Sequence, residues 1–239
     1  GYEVFQTLGG GAIYTTGVNG RIDASRFVGN AAAFGGALYI AGGGTLEVTN
    51  SLIVDSVAAN GTIYTNASAP IFANCTVANN GNWGIFAQRE SRPVVRNSVF
   101  TGNQVFPASI EIGGPGIVDV AYSIIDGDAS ATIGAGVVFA DPRLDDSFAP
   151  LPGSPAIDAG DNAAVPGGIT TDLLGGARFV DDPATPDTGA GTAPIVDIGA
   201  IEFGGGQAAP CAADLDGDGE LTVLDFLEFQ NRFSAGDAS

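Results

Sequence analysis

Lysine and histidine are absent from this sequence, and its positive charge rests on 8 basic residues, all arginine, against 27 acidic ones. The formal charge of −19 repels phosphate backbones and anionic membrane surfaces, so nucleic acid is not an expected partner. Cysteine is nearly missing: Cys75 and Cys211 are the only two, too few for a disulfide framework. No run of 18 apolar residues occurs, so the chain is not expected to span a membrane. Charged residues make up only 15% of the chain, which leaves little material for long solvated helices. The sequence opens at Gly1 without Met or a signal peptide, and a targeting segment is expected upstream.

What is present is glycine, proline and short apolar runs: 37 Gly, 13 Pro and 45% apolar residues over 239 positions, the composition of an all-β chain with many turns. The runs repeat. Segments headed by Ser25, Ser51, Cys75, Ser98 and Ser123 recur at steps of 26, 24, 23 and 25 residues. A second column holds Ala12-Ile13-Tyr14, Ala37-Leu38-Tyr39, Thr62-Ile63-Tyr64, Gly84-Ile85-Phe86 and Ser109-Ile110-Glu111. A third is read at Ile22, Leu46, Ile71, Val94 and Val118. Three short strands per repeat of about 24 residues, separated by Gly and Asn corners, predict a right-handed parallel β-helix over residues 1–140. These segments resemble the repeats of the pectin-lyase-like superfamily and of polymorphic outer-membrane and adhesin-type proteins, a resemblance that concerns fold rather than activity.

Period-two alternation in the second column puts Ile13, Leu38, Ile63, Ile85 and Ile110 inside and Tyr14, Tyr39, Tyr64, Phe86 and Glu111 outside, with Glu111 marking the solvent face. Four aromatic rings on successive coils form a row that can serve as a stiffening ladder, a subunit interface or a sugar-stacking surface. Cys75 shares a column with serines and is expected to be a small inward residue. Asn30, Asn79, Asn80 and Asn103 sit where the chain turns, and asparagine tolerates the left-handed conformation of such corners.

From Asp141 the periodicity stops. Residues 141–203, with Leu151-Pro152-Gly153-Ser154-Pro155-Ala156-Ile157-Asp158-Ala159-Gly160 and Val196-Asp197-Ile198-Gly199-Ala200-Ile201-Glu202-Phe203, resemble the C-terminal signature of secreted bacterial β-helix proteins with interchangeable surface anchors. An open solenoid end exposes strand edges, so this segment is expected to cap it. Its acidic residues Asp145, Asp146, Asp158, Asp161, Asp172, Asp181 and Asp182 suit calcium by chemistry but show no ordered ligand spacing.

Residues 204–210 read as a linker, and 211–239 as a separate module. Asp214, Asp216, Asp218 and Asp225 occupy positions 1, 3, 5 and 12 of a calcium loop, with Gly219 at the sharp turn. Glu220 offers its carbonyl and Thr222 a direct or water-bridged ligand. The position-12 Asp and the absence of a preceding helix make the segment resemble one half of a dockerin. That resemblance implies a cohesin-like receptor, a second repeat beyond Ser239, and a cysteine there to pair with Cys211. The helix after the loop presents Val223, Phe226, Leu227, Phe229 and Phe233 on more than one face, as partner contacts.

β-Helix enzymes acting on acidic polysaccharides use a Lys or Arg base with calcium-binding Asp residues, or paired Asp residues. The one basic cluster here, Arg89, Arg92 and Arg96, suits a solvated or Asp-paired surface, and no nucleophile elbow or phosphate loop occurs. The sequence therefore leads to the expectation of a non-catalytic secreted structural or adhesive protein. It would dock through calcium to a receptor or stack head-to-tail with copies of itself into filaments. Recruitment of a polysaccharide-binding or polysaccharide-degrading protein through the dockerin is the alternative.

Overall fold

The computed structural model describes residues 9–105 and 108–206. Most strands are three or four residues long and end at corners set by left-handed backbone. Ala24, Asn50, Asn74, Asn97 and Tyr122, with φ of 45–53°, make one corner column. Gly29, Asp55, Asn79 and Gly102 make another at 54–65°. Asparagine, aspartate and glycine reach this region at low cost and fill seven of these nine positions, bending the chain at a fixed place on each coil.

The result is a right-handed parallel β-solenoid with three long sheets and a short two-stranded one that pairs Ala31–Phe34 with Val57–Asn60. The first contains Ile13–Thr16, Leu38–Ala41, Ile63–Asn66, Ile85–Gln88 and Ala108–Gly113. The second runs through Gly20–Asp23, Leu46–Thr49, Ile71–Ala73, Val94–Arg96, Asp119–Ala121 and Thr132–Ile133. The third stacks Arg26–Val28, Leu52–Val54, Thr76–Ala78, Val99–Thr101 and Ile124–Asp126. Each long sheet sends one apolar column inward, and these three columns meet in a single core that includes Leu38, Ile63 and Ile85, Val48, Phe72 and Val95, and Ile53, Val77 and Phe100.

Two registers differ from the sequence reading. In the second sheet the inward column is Ile22, Val48, Phe72, Val95 and Val120, and Leu46 pairs with Gly20 instead of Ile22. Three-residue strands carry too little alternation to choose between neighbouring apolar positions. In the first sheet Ile85 pairs with Ile112, not Ile110, and Phe86 pairs with Gly113, not Glu111. The cause is an insertion: Gln104–Val105 folds back antiparallel on Ala108–Gly113, with Val105 opposite Ala108, and moves the register by two. A shift of two preserves the strand's face pattern, so the sequence could not expose it.

The described residues beyond the last coil contain one 3₁₀ turn, Asn162–Ala164, and otherwise irregular backbone. Their described contacts run along the flank of the third sheet, where the sequence led us to expect a cap over the solenoid end. Phe148 and Leu173 pack on Leu52, Val54 and Ala78, while Ala156, Ala159 and Ile198 pack on Val99 and Ile124. Corner asparagines fasten this lobe: Asn50 donates to the Thr171 carbonyl (3.0 Å), and Asn97 exchanges bonds with Asp161 backbone (2.7 and 2.9 Å). Leu52, Val54, Ala78, Val99 and Ile124 are apolar residues on the outward face of the third sheet, and the lobe removes them from water.

Candidate functional site

The aromatic row is a continuous stack. Ring centroids lie 4.8 Å apart for Tyr14 and Tyr39, 5.1 Å for Tyr39 and Tyr64, and 5.6 Å for Tyr64 and Phe86, with interplanar angles of 13–18°. The spacing is that of neighbouring strands, and offset stacking adds to the burial of the rings. Phe34 meets Tyr64 edge-on and Trp83 lies against Phe86, so the row is covered toward its middle. Tyr64 is 5% exposed and Tyr14 59%. Glu111, expected to mark the solvent side of this row, is buried instead beside Gly84 at the corner that precedes the strand.

Two polar ladders run parallel to the stack. In the first, the N–H groups of Ser25, Cys75 and Ser98 donate to the hydroxyls of Ser51, Ser98 and Ser123 on the next coil. Each serine hydroxyl donates in turn to the carbonyl two residues before it. Cys75 fills one rung, its thiol donating to the Val48 carbonyl (3.3 Å), and burial pushes that thiol up to about 12. Such a thiol is inert, in keeping with the expected inward role.

In the second ladder the N–H groups of Asn30, Ser56 and Asn80 donate to the side chains of Ser56, Asn80 and Asn103. Of the asparagines expected in left-handed corners only Asn79 is in one; Asn30, Asn80 and Asn103 are rungs of this ladder. The last rung is Glu111. Its carboxylate accepts from the Asn103 backbone N–H (3.2 Å) and from Asn103 Nδ2. Burial raises the Glu111 carboxyl to about 7, against the lowering effect of those Asn103 bonds. No asparagine stands at the next step to continue the series, which is the signal that could have identified Glu111 as its end.

The flanking lobe has almost no regular structure to satisfy its backbone, and buried carboxylates do so instead. Asp172 accepts from Leu174, Gly176 and Glu202 N–H groups, and Asp197 from those of Asp158 (2.7 Å) and Phe203 (2.6 Å). Glu202 accepts from Val180 and Asp197. Arg178, 0% exposed, donates to the carbonyls of Asp197, Gly199 and Ala200 and pairs with Glu202 at 3.5 Å. Burial lifts both Asp197 and Glu202 above the usual carboxylate range, with Arg178 acting in the opposite direction. The sequence pattern Asp-Ala-Gly to Ile-Glu-Phe is thus a scaffold whose polar members hold loops, and Arg178 is a member that pattern reading missed.

The acidic residues considered for calcium divide by structure. Asp145, Asp161, Asp172 and Asp182 direct carboxylate oxygens to backbone N–H groups of their own turns. Asp145 and Asp146 also line a cavity of about 320 Å³ with Asn79, Thr101, Asp141 and Phe148. Asp158 and Asp181 come together with Asp187, one carboxylate oxygen of each within 4.8 Å of the others. Asp187 carried no sequence signal. Of the basic cluster, Arg96 pairs with Asp119 at 2.9 Å, the expected surface role.

The calcium-loop positions Asp214, Asp216, Asp218, Glu220, Thr222 and Asp225, the helix residues Val223, Phe226, Leu227, Phe229 and Phe233, and Cys211 lie outside the described residues. Among the described residues no helix is long and apolar enough to cross a membrane.

A family profile described as right handed beta helix region matches residues 3–137, more than half of the chain. No curated protein and no solved structure matches it. The matched span coincides with the coils built above, and the chain belongs to the right-handed β-helix family.

Proposed function

We propose that this chain is a non-catalytic secreted structural or adhesive protein, a rigid acidic rod that docks in a calcium-dependent way to a cohesin-like receptor or to another copy of itself. The observation that carries this reading is the direction of its repeated side chains. The aromatic stack and both polar ladders run along the solenoid axis and join coil to coil. Arrays of nearest-neighbour contacts of this kind stiffen a solenoid and stabilise it cooperatively. The ligand spacing from Asp214 to Asp225 supplies the calcium dependence, and the acidic surface suits a medium with millimolar divalent cations.

Sedimentation velocity of the full chain tests this. Larger species in millimolar calcium, reverting to monomer in EDTA and missing in an Asp214→Ala, Asp225→Ala variant, are the expected result. Monomer under all conditions overturns self-docking. A second reading, polysaccharide binding, rests on the open end of the aromatic stack, where exposed Tyr14 lies on Tyr39. Glycan retention lost in Tyr14→Ala would favour it over the structural role.

A further inference from the structure

We propose that Asp158, Asp181 and Asp187 form a calcium site in the flanking lobe, separate from the dockerin-like loop. The lobe's own backbone brings the three together. The Asp158 carbonyl accepts from Thr188 N–H (2.9 Å) and Gly189 N–H (3.0 Å), which sets Asp187 beside it. Asp182 N–H donates to Asp158 Oδ2 (3.2 Å), which sets Asp181 beside it. Asp182 itself is engaged elsewhere, accepting from Ala184 N–H (3.1 Å) and from the Thr185 hydroxyl (2.7 Å).

A cluster of acids alone is common on a surface with this charge. What distinguishes this one is Asp158. It is 0% exposed, and its second oxygen, Oδ1, is buried without a hydrogen-bond partner among the described residues. A buried carboxylate oxygen left without donor or cation is a costly arrangement that native folds resolve. The ion pairs among the described residues are Arg21 with Glu47, Arg96 with Asp119 and Arg178 with Glu202, so none of them neutralises this group.

The donor chemistry selects the ion. Three carboxylates with no nitrogen or sulfur ligand favour a hard divalent cation. Calcium binds oxygens at about 2.3–2.6 Å in irregular shells, so ligands on opposite sides of one ion stand about 4.8 Å apart. The separation of these oxygens, within 4.8 Å, fits one shared ion. Exposed Asp181 and Asp187 leave room for water to complete the shell. The ion would join the stretches around residues 158, 181 and 187, and so fasten the lobe to itself.

Calcium titration calorimetry on the full chain separates this site from the loop. In an Asp214→Asn, Asp216→Asn background one equivalent of calcium is expected to bind. Adding Asp181→Asn and Asp187→Asn, both exposed and isosteric, should abolish that equivalent with the far-UV circular dichroism unchanged. No binding in the loop-disabled background, or binding retained after the added substitutions, overturns the proposal. If the loop itself fails to bind, the wild-type chain will show a single equivalent, lost in Asp181→Asn, Asp187→Asn alone, and that outcome supports this site against the loop.

Discussion

Replacing Glu111 by glutamine should change the sign of a stability difference between acid and alkaline pH. In the folded chain burial raises the Glu111 carboxyl to about 7 from its ordinary 4.5. Below 4.5 both folded and unfolded chains hold the proton, and the ladder end carries no ionisation penalty. Between 4.5 and 7 the unfolded chain releases the proton that the folded chain keeps, so stability falls as pH rises. Above 7 the loss levels off, at about 3 kcal/mol, since each pH unit of separation is worth about 1.4 kcal/mol. Glutamine cannot ionise, so the variant lacks this loss. It has a penalty of its own: one amide nitrogen now faces the Asn103 donors. Asn103 cannot rotate to accommodate it, because its Oδ1 accepts from Asn80 and its Nδ2 donates to the Val77 carbonyl. An unmade buried hydrogen bond costs roughly 1–3 kcal/mol. Urea unfolding in EDTA, followed by circular dichroism, should therefore find Glu111→Gln less stable than wild type at pH 5 and equal or more stable at pH 8. Asp197 and Glu202 are raised in the same direction, but they contribute equally to both proteins and drop out of the difference. A gap that stays constant with pH would refute the assignment of Glu111 as a buried ladder end.

Arg178→Met should destabilise the flanking lobe by about 3–5 kcal/mol, because it strands buried Glu202 and three carbonyls, and limited proteolysis should then cut between residues 158 and 202 before it cuts the coils. Cys75 should resist thiol reagents in the native Cys211→Ser protein and titrate as one thiol only after unfolding; reaction in the native state would contradict its place as a buried rung. Along the aromatic stack, Tyr64→Ala should lower stability by roughly 3–5 kcal/mol and Tyr14→Ala by about 1 kcal/mol or less, and equal losses would mean that the stack is not covered at its middle.

The coils were legible because each repeats a small set of residue types at a step near 24 residues, and the serine column with Cys75 in it appears in the structure as read. Register was less legible. Ile110 and Ile112 stand two positions apart in the sequence, so period-two alternation could not tell which continues the column of Ile85, and the fold-back at Gln104–Val105 decided it. The flanking lobe left one signal unread: Leu52-Ile53-Val54 and Ile124-Ile125 are continuous apolar runs, which mark strands buried on both faces. Those runs foretold a cover along the side of the third sheet. Within the lobe the roles of Asp172, Arg178 and Asp197 depend on irregular backbone, and the meeting of Asp158 with Asp187 depends on a loop closed over 29 positions, which no local pattern encodes.

A rod that docks to copies of itself through calcium should assemble head-to-tail. Negative-stain electron microscopy of the full chain in millimolar calcium, repeated after EDTA, tests it most directly. Filaments that form in calcium and disperse on chelation are the predicted result, and single particles in both conditions would contradict it.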